Sequence, residues 1–450
     1  MDGIIKANNY ISEHKDKVNG KYRPEYHMLP PVGWMNDPNG LIYFGGRYHL
    51  YYQFNPYAPE PGTMYWGHFA SDDLISYESL GVAVAPQQEY SGIFSGGAIE
   101  CGGKIHALYT LHTEKEGFKS EEVYSAVSGG GAFGAGKKVF DNNTLPDNIS
   151  RTDFRDPCPV KVGDMYYVFI GGKDVNLNAG VIIVLSGKTL DELVYSFYIG
   201  PFAEFGEMGE CPSYFKTDGK DVLICSGCRV QRRGNDFLNE NSSVFVVGDI
   251  DFGRKTMTVD FIKEIDKGDT FYAPQFIRGI EKPVMIGWLE MWGKPYPTKE
   301  MGHGWVGAFS IPRELTYKDG DIFQQPVESL KSYRTAVSRG LPASADITLK
   351  FNGNGSLKIY GENGSVTVGC DGVIYLDTLD SNNMCGCIRR TNREYADCEV
   401  RILLDVSGIE VFVDGGREVI SSRIYIDGIS GIKTQGNVKT VEVYAIEVVK

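Results

Sequence analysis

The chain has 450 residues, 42% of them hydrophobic, and a formal charge of −13. That apolar fraction supplies a buried core and excludes a disordered chain, while the length allows one or two large β domains or about three of ordinary size. An acidic balance with no block of five or six like charges speaks against nucleic acid and anionic membrane as partners, because phosphate binding needs clustered positive charge.

Residues 1–18 carry charges throughout and have no apolar stretch of the kind an export signal needs; their pattern predicts one short helix over 3–18. The longest aliphatic run, 181–185, is five residues, far short of a membrane span. With nine cysteines, an odd number, and no export signal, the expected compartment is the cytoplasm and disulfides are not expected. Cys225 with Cys228 forms a CxxC and Cys385 with Cys387 a CxC, a combination zinc could use. The pairs lie far apart, and Cys225 sits inside the apolar run 222–224, so buried thiols are the simpler reading and neither metal nor cofactor is expected.

Glycine is frequent, at 55 residues, and aromatics reach 12%, a composition suited to short strands and tight turns. Five segments share one plan: a polar or charged head, an apolar strand, a turn at Gly or Asp, and an aromatic-rich second strand. They are 36–55, 94–110, 155–171, 210–226 and 272–289, turning at Gly45-Gly46, Gly102-Gly103, Gly163-Asp164, Asp218-Gly219 and near Gly279. With Asp37, Ser95, Asp156, Glu210 and Gln275 as markers the steps are 58, 61, 54 and 65 residues. Units of this size predict a five-bladed β-propeller over 1–330. Inner strands of a propeller line its central channel, so Asp37, Asp156 and Glu210 are expected to face one another there.

Past Gln325-Pro326 the charged heads stop. Short alternating strands at 347–351, 366–368, 400–404 and 410–413 predict a C-terminal antiparallel β-sandwich over 339–450, joined by a linker at about 328–338. This second domain is expected to cover an edge of the first rather than to carry chemistry.

The densest motif is 34–40, Trp-Met-Asn-Asp-Pro-Asn-Gly, which sets Asp37 between amides and a turn at a strand mouth. Alone it is compatible with an ordinary β-turn. Arg155-Asp156-Pro157 heads the third unit, where the bland reading is a surface ion pair. Glu210 stands among Gly209, Cys211 and Pro212, surroundings expected to raise its pKa by desolvation and fit it as an acid. Three carboxylates in one aromatic-lined funnel suit glycoside hydrolysis, in which an ionised carboxylate attacks and a protonated one donates to the leaving oxygen. The seven histidines show no metal-binding spacing, and there is no GxSxG elbow, Walker loop or dinucleotide fingerprint in its proper context.

These motifs resemble glycoside hydrolase family 32, the invertases, sucrose-6-phosphate hydrolases and exo-fructosidases. The resemblance runs through 27–30, 34–40, 48–56, 66–68, 94–96, 155–157, 210–212, 272–275, 286–288, 312–315 and 408–416, in order. It implies a retaining, metal-free β-fructofuranosidase, with Asp37 as nucleophile, Glu210 as acid and then base, and Asp156 holding fructose hydroxyls. It further implies hydrogen bonds from Asn36, Gln53, Ser95 and Arg155, an apolar wall at Phe94, and a pocket position for Cys211 beside Glu210. Trp66, Trp288 and Trp292 are candidates for stacking on sugar, each equally readable as core packing. The sequence departs from the family at 57–65, which lacks the Trp many relatives place beside the scissile bond, and at Cys158-Pro159-Val160 after the Arg-Asp-Pro motif. The expected partner is a small sugar: sucrose, sucrose 6-phosphate or a short fructo-oligosaccharide. Homo-oligomer formation is allowed by the sequence, not required. An arabinan-type propeller glycosidase and a non-catalytic sugar-binding protein stand as alternatives, and the basic residues Arg229, Arg232 and Arg233 as the nearest candidates to meet a phosphate, or as a solvated loop.

Overall fold

The computed structural model describes residues 2–87 and 90–448. Five antiparallel sheets follow one another, opening on the strands Gly33–Phe44, Ser91–Cys101, Ile149–Val162, Met208–Thr217 and Tyr272–Phe276. Each of these five strands neighbours the next and the fifth returns to the first, so together they ring a central channel. The result is a five-bladed β-propeller. Its first four hairpin turns fall at the glycine and aspartate pairs predicted for them, and Gly279 lies in the fifth; Asp218, at φ 48°, and Gly279, at φ 78°, take the left-handed backbone that a tight reversal requires.

Blades pack face to face, so their middle strands are covered on both sides. This is why residues 181–185, without any polar alternation, form a strand rather than a helix: all five are fully buried. The ring is closed by main-chain bonds. Tyr43 N donates to Arg278 O at 2.8 Å and Arg278 N to Leu41 O at 2.9 Å, while Trp305–Val306 pairs in parallel with Gly33 and Trp34 of the first blade.

The helix is Asp2–His14, followed by a single tight turn at Lys15–Lys17. It buries Ala7 and Ile11 beside the first blade, and Asn8 Oδ1 accepts the Val82 amide at 2.8 Å.

The C-terminal unit is a sandwich built from one hydrogen-bonded sheet of nine strands that nearly closes on itself. Two 16-residue strands, Ala345–Tyr360 and Gly431–Ile446, run side by side through both layers. Their pairing slips between Phe351 and Gly355, and there the strand bends from one layer to the other. Segment 328–338, read as a linker, is itself structured. Glu328–Tyr333 forms a short 3-10 helix whose Ser329 hydroxyl bonds Asp73 O of the first blade, and Arg334–Ala336 pairs with the last strand.

Candidate active site

At equivalent heights in all five inner strands the ladder to the neighbouring strand is interrupted. The breaks fall between Met35 and Pro38, Phe94 and Gly96, Arg155 and Cys158, Glu210 and Ser213, and Tyr272 and Gln275. Pro157, Pro212 and Pro274 lie inside three of them and Pro38 bounds the first, and a proline has no N–H to give the ladder. The residues before three of these prolines, Asp156, Cys211 and Ala273, have φ of 66°, 45° and 49°. Such bulges swing a side chain out of the sheet and into the channel. The structurally equivalent positions are therefore Asp37, Ser95, Asp156, Cys211 and Ala273. Two sequence markers were out of phase: Glu210 lies one residue early and Gln275 two late, because sequence cannot show which residue a bulge extrudes.

The three carboxylates converge on a cavity of about 210 Å³ lined by Asn36, Asp37, Gln53, Phe94, Ser95, Arg155, Asp156, Glu210, Cys211 and Trp292, together with Pro61, Gly62 and Met64. Asp37 Oδ2 accepts from the Ser95 hydroxyl at 2.8 Å and from the Cys211 thiol at 3.5 Å, while its buried Oδ1 has no hydrogen-bond partner among the described residues. Asp156 Oδ2 accepts from the Cys211 amide at 2.9 Å, and the Asp156 amide donates to Thr110 Oγ1 at 2.8 Å. Cys211 thus sits between two of the acids. Glu210 Oε1 is held by Arg155 through Nη2 at 2.5 Å and Nε at 3.2 Å, and its Oε2 by the Tyr272 hydroxyl at 2.6 Å. Asn36 accepts from Trp34 Nε1 at 2.7 Å, and Gln53 donates to Ile93 O at 3.0 Å, which fixes both amides in the wall.

Burial raises Asp37 to about 6 and Asp156 to about 7; the nearby Glu210 charge adds to both, while Ser95 pulls Asp37 down and Arg155 pulls Asp156 down. Glu210 behaves against expectation. Burial pushes its pKa up as the sequence suggested, but Arg155 and the Tyr272 hydroxyl outweigh burial and hold it below the usual carboxylate value. Three acids beside one guanidinium cannot all be charged cheaply, so a proton is retained within the set near neutral pH. A nucleophilic Asp37 must be ionised. We therefore expect kcat/KM for a fructoside to fall as pH drops below about 6, measured as the acid limb of the pH–rate profile.

Of the three candidate tryptophans only Trp292 reaches the pocket. Trp66 and Trp288 are fully buried and offer no face to a sugar. Trp66 acts from behind, donating Nε1 to Phe94 O at 3.1 Å, and Trp288 backs Trp292 with ring centroids 4.9 Å apart. Several site residues had not been singled out. Tyr272 lies in the 272–275 motif, which by itself marks no role for it; it precedes its bulge as Glu210 does, and the phase of the repeat is the signal that finds it. Glu121, on the strand Phe118–Ser128, bonds Arg155 Nη1 at 3.1 Å and is itself held down to about 2 despite burial, by His112, Arg155 and Lys119. His112 stacks on Phe94 at 4.1 Å. Neither Glu121 nor His112 lies in a recurring motif, so no sequence signal marked them.

Residues 27–326 match the glycosyl hydrolases family 32 N-terminal domain and residues 345–448 the family 32 C-terminal domain. The chain belongs to glycosyl hydrolase family 32. It is 31% identical to a sucrose-6-phosphate hydrolase of Escherichia coli over 93% of this chain and 92% of that one. A second, from Vibrio alginolyticus, is 30% identical, covering 92% and 88% of the two chains. Among solved structures, the Bombyx mori GH32 β-fructofuranosidase superposes with a TM-score of 0.88 at 32% identity, covering 98% of each chain. Membership in family 32 makes the protein a glycoside hydrolase of the β-fructofuranosidase type.

Within segment 57–65, where the sequence departs from the family pattern, this chain presents Pro61, Gly62 and Met64 to the pocket. Cys158, the other departure, is buried under the site and contacts the Arg278 guanidinium at 2.9 Å, away from the pocket lining. A second, more open cleft of about 380 Å³ adjoins the pocket and shares Arg155 and Trp292 with it. Arg229 lines this cleft but is already matched by Glu207 at 3.0 Å, and Arg233 is committed to Glu204.

Proposed function

We propose that the protein hydrolyses the terminal β-fructofuranosyl bond of sucrose, sucrose 6-phosphate and short fructo-oligosaccharides by double displacement with retention. The observation that carries this is the convergence of Asp37, Asp156 and Glu210 on one enclosed pocket, where Ser95 and Cys211 hold Asp37 Oδ2 and Arg155 and Tyr272 hold Glu210. A carboxylate so placed beside a second acid suits attack on the anomeric carbon. Glu210 donates a proton to the leaving oxygen and then takes one from water. Arg155, which outweighs burial at Glu210, must loosen from it for the acid role, and a sugar hydroxyl entering beside Asp156 and Arg155 gives the guanidinium a second partner. Asp156 bonds fructose hydroxyls and strengthens those bonds as charge develops on the ring.

The enclosed pocket takes the fructosyl ring and the adjoining cleft the leaving group, with Trp292 at their junction. The named substrates of the relatives support this choice of sugars. Nine free cysteines support a reducing, cytoplasmic setting, and no helix among the described residues is long and apolar enough to cross a membrane. The test is a panel of sucrose, sucrose 6-phosphate, 1-kestose and inulin at equal concentration, with methanol as a competing acceptor. Fructose release and methyl β-fructofuranoside are expected. The α-anomer, or no release from any member, would overturn the reading.

A further inference from the structure

The second domain reaches the pocket through two neighbouring stretches of the fifth blade. The first leads into Tyr272, the partner of Glu210. Its Lys267 and Asp269 amides donate to Val419 O at 2.8 Å and Ser421 O at 3.1 Å, so it adds to the sandwich edge strand Glu418–Arg423. The second carries Trp292. Two residues before it, Glu290 is buried and faces the equally buried Arg423 of the sandwich, Nε to Oε1 at 3.5 Å. Two residues after it, Lys294 donates to Asp269 O at 2.7 Å and to Asp269 Oδ2 at 3.1 Å. The same Oδ2 receives Asn383 of the sandwich at 3.3 Å, and Asn383 also donates to Arg423 O at 2.7 Å. Two charged contacts therefore bracket the one tryptophan of the candidate set that lines the pocket, and both lead to the same short stretch of the second domain.

Charges buried at a domain seam are expensive unless paired, and apolar residues of similar size would hold two domains together at least as well. What a pair of charged anchors adds is a fixed position for the short stretch between them. We infer that Glu290, Lys294, Asp269 and Arg423 are positioning residues that set the Trp292 indole against the leaving group, so that the sandwich governs how the leaving group is held. This rests on the fructofuranosidase reading above.

The two ideas separate experimentally. Wild type is assayed first; failure to turn over any fructoside would overturn both. Given turnover, Lys294→Met and Arg423→Gln are each expected to raise KM for sucrose about five- to twentyfold with kcat within about twofold, since a misplaced binding wall weakens binding more than chemistry. Inhibition by free fructose, which needs only the inner pocket, is expected to stay within about twofold. The deciding measurement is made in a Trp292→Ala background, where adding either substitution is expected to change KM by less than about twofold, because residues acting through one another are not additive. Lys294→Arg is expected to restore most of the affinity. An unchanged KM in Lys294→Met, or its full effect persisting without Trp292, overturns the inference. Should the Arg423 variant fail to fold, the Lys294 series decides alone, its side chain being partly solvent-exposed.

Discussion

Asp37→Ala and Glu210→Ala are each expected to lower kcat on sucrose by about four to six orders of magnitude, equivalent to roughly 5 to 8 kcal/mol of transition-state stabilisation. The two losses should differ in kind. Asp37 supplies the carboxylate that would form the covalent bond, and within hydrogen-bond reach its neighbours include the Ser95 hydroxyl and the Cys211 thiol. Neither can replace it: the thiol is buried and its pKa is pushed well up by burial and by the acids around it, which leaves it a poor nucleophile. Removal of Asp37 should therefore abolish turnover of every fructoside. Glu210 is needed only where a proton must be delivered or taken. On β-fructofuranosyl fluoride, whose fluoride departs without protonation, the Glu210 variant should show a rapid burst of fluoride followed by slow turnover, and the Asp37 variant no burst. Both variants should still bind sucrose, read by calorimetric titration. Retention of more than about a tenth of wild-type turnover by the Asp37 variant would refute its role.

The propeller was legible because its repeat is a chemical one. Each unit brings a polar head to an apolar strand at a nearly fixed interval, and the first four turns carry Gly or Asp pairs that a tight reversal demands. The convergence of Asp37, Asp156 and Glu210 followed from that architecture. What could not be read were the effects of side chains meeting across blades. Glu210 looks desolvated in sequence, flanked by Gly209, Cys211 and Pro212; its electrostatics are set by Arg155 from the preceding blade and Tyr272 from the following one. Trp66 and Trp288 read equally as stacking faces or as core in sequence, and the structure encloses them with aromatic residues of neighbouring strands, Tyr51 beside Trp66 and Trp34 beside Trp288. The continuous C-terminal sheet was hidden for a different reason. Of the two 16-residue strands that serve both layers, the sequence marks only 347–351 within the first and nothing within the second; in the first, the pairing slip between Phe351 and Gly355 ends the alternation.

The largest stability effect is expected at the junction of the two domains. His27 is fully buried, with Nδ1 2.8 Å from Asp405 and Nε2 2.9 Å from Glu410, and Glu410 is also gripped by Arg313, whose Nη2 reaches Asp266 at 2.9 Å. Burial alone would lower the histidine pKa; the two carboxylates overcome it and raise it to about 9, while His27 holds Asp405, and Arg313 with His27 holds Glu410, below the usual carboxylate values. A histidine whose folded pKa lies above its unfolded value stabilises fully below about 6.5 and loses that contribution as pH rises through about 9. The two acids have the opposite sign: their contribution is present above about 4.5 and lost as pH falls. The knot is thus tightest between roughly pH 4.5 and 6.5. His27→Gln is expected to cost about 3 to 5 kcal/mol at pH 6, because it leaves buried carboxylates short of a cation, and to lower Tm by several degrees in scanning calorimetry. Raised carboxylates such as Glu264 and Glu290, each near 7, also weaken the fold as pH rises, but they are common to both proteins and cancel in the difference. The gap between wild type and variant should therefore shrink steadily from pH 6 to pH 9.5. Parallel Tm curves across that range would mean that His27 carries no charge in the folded protein.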